Sequence, residues 1–117
     1  MDLQEIRQSL GQATPPVSLE PPLKALWHDA KGEWDQAHHI VQQGHDAASA
    51  WVHAYLHRKE GDSANADYWY RRAQRSPASA AFAEEWEHIV LTLLCEYGLQ
   101  PEEIPNPGVR DLGRLER

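Results

Sequence analysis

Between Pro22 and Pro101 the chain carries a single proline, Pro77. Proline deletes a backbone donor and collides with the preceding helical turn, so a stretch this sparing of it is permissive for helix. The other prolines gather at 15, 16, 21 and 22 and at 101, 105 and 107. That placement divides the chain into a short helix and proline-rich linker over 1–19, a helical domain over 20–100, and a loose or surface-draped tail over 101–117. In the first segment Leu3, Ile6 and Leu10 share one helical face, which Gly11 ends. Inside the domain, Gly32, Gly44, Gly61 and Gly98 fall where the helical period pauses. The spacing predicts helices over about 22–31, 34–43, 46–60, 63–75 and 77–97. Asp46, Asp62 and Ser76 stand where N-caps belong, and Pro77 at a first helical position. No window alternates β-branched residues cleanly, so the fold class is all-α.

Length and charge narrow the function. One domain is expected of 117 residues. With 11 basic against 18 acidic side chains, the net charge of −7 argues against nucleic acid or an anionic membrane as partner. A lone cysteine, Cys95, cannot form an internal disulfide, which suits the reducing cytoplasm. The opening MDLQEIRQSL lacks both a basic and an apolar signal region, and no apolar run reaches the ~18 residues of a membrane span.

A frame, A-x-x-H-x-x-x-G-[ED]-x-x-x-A, occurs twice, from Ala25 to Ala37 and from Ala54 to Ala66. Each copy reads as a helix, a glycine turn and a second helix, and such a hairpin must stack on another to bury its apolar face. The paired alanines are small where helices cross closely. The second copy, Ala54, His57, Gly61, Ala66, Tyr70 and Ala73, with Pro77 after it, resembles the tetratricopeptide repeat family, and Tyr68-Trp69-Tyr70-Arg71-Arg72-Ala73 is similar to the close of Sel1-like repeats. The first copy supplies Ala25, His28, Gly32, Trp34, Ala37, Val41 and Gly44. Both copies carry His where that family usually has Tyr, and their period is shorter than the family's. The segment Trp51–Asp62 is also similar to the core of a small bacterial family to which no activity is attached. The resemblance implies a short stack of two helical hairpins, closed by the long fifth helix with its stripe of Phe82, Trp86, Ile89, Val90, Leu93, Leu94 and Tyr97. An ordinary five-helix bundle is the competing architecture.

Four side-chain sets compete for a role. Trp51, Tyr55, Arg58 and Lys59 fall within an arc of ~100° on one helix. In the tetratricopeptide family the aligned positions face a concave groove, so the resemblance implies two rings and two cations suited to a carboxylate-bearing peptide. The plainer reading makes Trp51 and Tyr55 core rings and lets Arg58 and Lys59 neutralise a helix C-terminus. His53 and His57, at i and i+4, share a helical face with Glu60 one turn on, a partial metal-ligand spacing. His28 matches His57 in the repeat but need not converge with it; both serve equally well as packing rings. Asp35-x-x-His38 and Glu85-x-x-His88 have the spacing of dimetal bundle ligands, though two further carboxylates are wanting. Cys95 lies in an apolar helical run where thiols are buried and inert, and no nucleophile elbow or phosphate loop occurs.

The sequence therefore points to a non-enzymatic interaction module that binds a protein or peptide segment, or a second copy of itself, without a cofactor. The alternative is a metal- or small-molecule-binding helical protein, in its catalytic form an enzyme, built on His53, His57 and Glu60.

Overall fold

The computed structural model describes Met1–Gly98, so the expected tail over 101–117 lies outside the described residues. The described residues form six helices and no strand: α1 Leu3–Ser9, α2 Pro21–Ala30, α3 Trp34–Gln42, α4 Ala47–Lys59, α5 Ser63–Ala73 and α6 Phe82–Glu96. The protein is all-α. None of these helices is long and apolar enough to cross a membrane.

Helices α2 and α3 pack as one hairpin and α4 and α5 as another, with α3 and α2 laid against α4. The repeated frame has the same local geometry in both copies. Gly32 (φ 81°) and Gly61 (φ 89°) take the left-handed conformation that ends α2 and α4. Behind each, Glu33 N–H donates to His28 C=O at 2.9 Å and Asp62 N–H to His57 C=O at 3.0 Å. Ala25, Ala37, Ala54 and Ala66 are all buried, where helices approach closely. Asp46 and Asp62 cap α4 and α5 through Ser49 N–H and Asn65 N–H. Gly44 is required by crowding, since a Cβ there would stand 2.3 Å from Ser49 Oγ.

Helix α4 is the centre of the molecule. Every residue from Ser49 to His57 is buried, so the helix has no solvent face over that stretch. Two buried carboxylates anchor its C-terminal end. Asp29 accepts from Tyr55 Oη at 2.9 Å and from Lys59 Nζ at 3.0 Å. Glu85 accepts from Arg58 Nη1 at 2.7 Å and from Tyr70 Oη. Burial and the adjoining carboxylate push both tyrosine hydroxyls far above their usual pKa, so they remain donors.

The last helix begins later than the sequence spacing predicts. Ser76 is not an N-cap and Pro77 is not in a helix; α6 starts at Phe82 behind Ala81. Helix α5 is ended by Gln74 in the left-handed conformation (φ 59°), and the chain then runs without helix to Ala81. Arg58 holds this connection, donating from Nη2 to Ala80 C=O while its guanidinium lies 4.7 Å from the Phe82 ring centre. A helix started at Pro77 would carry Ala80 and Phe82 elsewhere and forgo these contacts. From α6, Trp86, Ile89, Val90, Leu93 and Leu94 enter the core.

Helix α1 is part of the same body. Asp2 and Glu5 form a reciprocal capping box at 2.8 and 2.9 Å. Ile6 is buried, Ser9 Oγ accepts from Trp27 Nε1 at 3.0 Å, and Lys31 Nζ donates to the Leu10 and Gln12 carbonyls.

Candidate metal centre

Packing α3 against α4 brings three histidines to one point. His53 and His57, one turn apart on α4, lie with ring centres 4.9 Å apart and planes 25° apart. His38 of α3 sets its ring edge-on to both, at 4.8 Å from His53 and 5.1 Å from His57. One ring nitrogen from each of the three lies within 4.8 Å of the others. His38 Nε2 and His53 Nε2 are 3.1 Å apart, so one of them carries the proton that the other accepts. His53 Nδ1 is buried and has no hydrogen-bond partner.

These separations can be held against a simple geometric requirement. Three imidazoles bound at ~2.0–2.1 Å to one tetrahedral ion have ring centres about 5.2 Å apart and donor atoms about 3.3 Å apart. The three observed centre separations, 4.8, 4.9 and 5.1 Å, sit just inside the first figure. The His38–His53 nitrogen pair, at 3.1 Å, is already near the second.

The surroundings fix the rings. Trp34 stacks on His38 at 4.9 Å and 9°, and its Nε1 is tied to Leu56 C=O at 2.9 Å. Trp69 of α5 stacks on His53 at 4.0 Å and 13°. On the other side His57 Nδ1 pairs with Glu60 Oε2 at 2.6 Å, a carboxylate–imidazole contact that orients a ring and fixes its tautomer. Burial, then the charges of its two histidine neighbours, pushes the pKa of His53 down to about 4. Burial and His57 lower that of His38 as well, with Glu60 and Asp35 opposing. Depressed in this way, His53 is neutral at pH 7, the state in which imidazole offers a lone pair to a metal.

The sequence candidates are distributed unevenly over this site. His53 and His57 belong to it, and Glu60 stands behind His57 rather than beside the other two donors. The sequence spacing sets His38 in a different pattern, with Asp35, Glu85 and His88, and those four residues do not converge. Glu85 is committed to Arg58 and Tyr70, while the ring of His88 stands edge-on to Trp51, 5.6 Å centre to centre. The i, i+4 spacing of His53 and His57 gives no sign of His38, which lies on another helix and outside the repeated frame. Beyond the Asp35-x-x-His38 spacing, its one further sequence signal is a position next to Ala37, a buried alanine of the repeated frame. His28 stays apart, its Nδ1 2.7 Å from Glu33.

Trp51, Tyr55, Arg58 and Lys59 do not share an open concavity. Trp51 and Tyr55 are 4% and 2% exposed. The Trp51 ring is covered by the Arg75 guanidinium at 3.8 Å, whereas Tyr55 and Lys59 border a separate cleft of about 490 Å³ with Phe82 and Trp86. Arg58 and Lys59 are engaged with Glu85 and Asp29. Cys95 is exposed, contrary to the buried position its apolar neighbours suggested. The core stripe of α6 runs through Ile89, Val90, Leu93 and Leu94, and Cys95 falls with exposed Leu91 on the opposite side.

No family model, curated protein or solved structure matches this chain. The tetratricopeptide resemblance therefore rests on the repeated frame alone.

Proposed function

We propose that this chain is a metal-binding helical protein whose ion is held by His38, His53 and His57, with Glu60 orienting His57. The observation that carries the reading is the convergence of three imidazoles from two helices, at centre separations of 4.8, 4.9 and 5.1 Å. A packing role alone accounts poorly for it. Three adjacent imidazoles bring polar ring nitrogens into a mostly buried position, and burying polar atoms costs stability unless each is satisfied. Ordinary apolar side chains would fill the same space without that cost. An all-nitrogen donor set without thiolate suits a borderline divalent ion, zinc foremost, rather than calcium or magnesium.

The reading departs from the cofactor-free interaction module that the sequence suggested. A peptide partner for Trp51, Tyr55, Arg58 and Lys59 has less support, because two of the four are buried and two are bound to buried carboxylates.

The test is elemental analysis of untagged protein together with zinc titration by calorimetry. One ion per chain, a rise in melting temperature on loading and its reversal by chelator are expected. Substoichiometric metal with an unchanged melting temperature overturns the proposal. Replacing His38 by Gln, which keeps the helix and much of the volume, should abolish binding while the circular dichroism stays helical.

A further inference from the structure

Granted the centre proposed above, on which this inference rests, we infer that it is an open one: the ion keeps one coordination position for solvent hydroxide, exchangeable for a small monoanion. The donor count is the first argument. Among the described residues no fourth His, Cys, Asp or Glu places a ligand atom within 4.8 Å of those of His38, His53 and His57. Glu60, the nearest acid to the site, is committed to His57 Nδ1 at 2.6 Å and stands on the side of that ring opposite Nε2. Asp35 reaches His38 only through its charge.

Access is the second argument. His53 and His57 are 5% and 6% exposed, whereas His38 is only half-buried, so the cluster meets solvent past His38. Trp34 and Trp69 lie flat on two of the three rings and set apolar surface directly against them. A closed structural site has four protein donors; three imidazoles with an exposed edge leave the fourth direction to a ligand from outside.

Charge is the third. Neutral imidazoles contribute none, so a divalent ion in this setting keeps its full positive charge. A water on such an ion gives up a proton to solvent near neutral pH, leaving a bound hydroxide. A monoanion that enters takes the same position and releases that hydroxide, or the water it becomes on protonation. The ligand class is thus small, monodentate and singly charged, and two indoles packed against the rings disfavour multiply charged anions.

Cobalt(II) is the probe, since it occupies zinc sites and its visible bands report coordination number and ligand exchange. The full chain is loaded with one equivalent and titrated with sodium azide at fixed pH, and separately with base. The inference expects bands that shift saturably at one azide per cobalt, and an azide affinity that falls as pH rises because hydroxide competes. Bands that are present but unmoved by azide and by pH mean a protein group closes the fourth position; the inference is then overturned while the tris-histidine centre stands. Absence of stoichiometric cobalt bands removes the centre itself, and the inference with it.

Discussion

Trp69 lies flat on His53, with ring centres 4.0 Å apart and planes 13° apart. An indole in van der Waals contact with a proposed metal ligand is a built-in reporter. Copper(II) or nickel(II) bound at the centre should quench tryptophan emission, and Trp69→Leu should remove a large share of that quenching. Zinc, with a filled d shell, should change emission only slightly. Fluorescence titration of wild type and variant checks this: Trp34, stacked on His38, keeps part of the quenching in the variant, and no quenching in either protein would place the ion elsewhere.

The Glu60 carboxylate holds His57 Nδ1 at 2.6 Å. Partners of this kind typically contribute 10–100-fold to metal affinity. Glu60→Gln should weaken zinc by a factor in that range in competition with a chromophoric chelator. Its exposed position implies a change in folding stability within ~0.5 kcal/mol.

Stability of the metal-free protein should fall as the solution is acidified below the ordinary histidine range. His53 is lowered from 6.5 to about 4, burial being the main cause. Between those values the unfolded chain binds a proton at this site that the folded chain refuses, so stability rises with pH across the window and is lost as pH drops through it. The span corresponds to roughly 3 kcal/mol. Urea unfolding between pH 4 and 7 in chelator, compared with His53→Phe, should show a shallower slope in the variant.

Arg58 is the counter-charge of a carboxylate that is 3% exposed. Arg58→Met leaves Glu85 charged and buried with only Tyr70 beside it, a loss of about 3–5 kcal/mol. Glu85→Gln in the same background should recover part of it. Chemical denaturation of the single and double variants measures the coupling. A binding defect in Arg58→Ala on its own would thus report on folding as readily as on a groove.

Removal of residues 1–18 should destabilise the remainder. Helix α1 buries Ile6, supplies the Ser9 hydroxyl to buried Trp27 and pairs Arg7 with Glu87 at 2.7 Å. Burial of an isoleucine alone is worth about 1.5–3 kcal/mol. A drop in melting temperature of several degrees is expected, and an unchanged one would show that α1 is an independent arm.

Much of this fold is written in local residue choices. The caps Asp46 and Asp62, the left-handed glycines 32 and 61 and the four frame alanines act over a few residues each, so their meaning is readable in sequence. The start of α6 was not, because Gln74 ends α5 early and Arg58, a residue of another helix, holds Ala80 and Phe82. The site divides in the same way. His53 and His57 share a turn of helix and announce themselves. His38 reaches them only through the α3–α4 crossing, and no periodicity encodes which face of α3 that crossing selects. The exposure of Cys95 and the burial of Trp51 likewise follow from how α6 lies across α4, a tertiary choice.

Helix α4 has no solvent face from Ser49 to His57. A helix of that kind has no idle positions: the same residues hold the molecule together and present its imidazoles. Natural variation cannot tune the site from within α4 without first rebuilding the interior. Adjustment is left to what touches it from outside, namely the helix that brings His38, the turn that brings Glu60 and the two tryptophans that border the rings. Diversification of this protein should therefore accumulate on α3, on the 60–62 turn and on the face of α5 that carries Trp69, around an interior that stays the same.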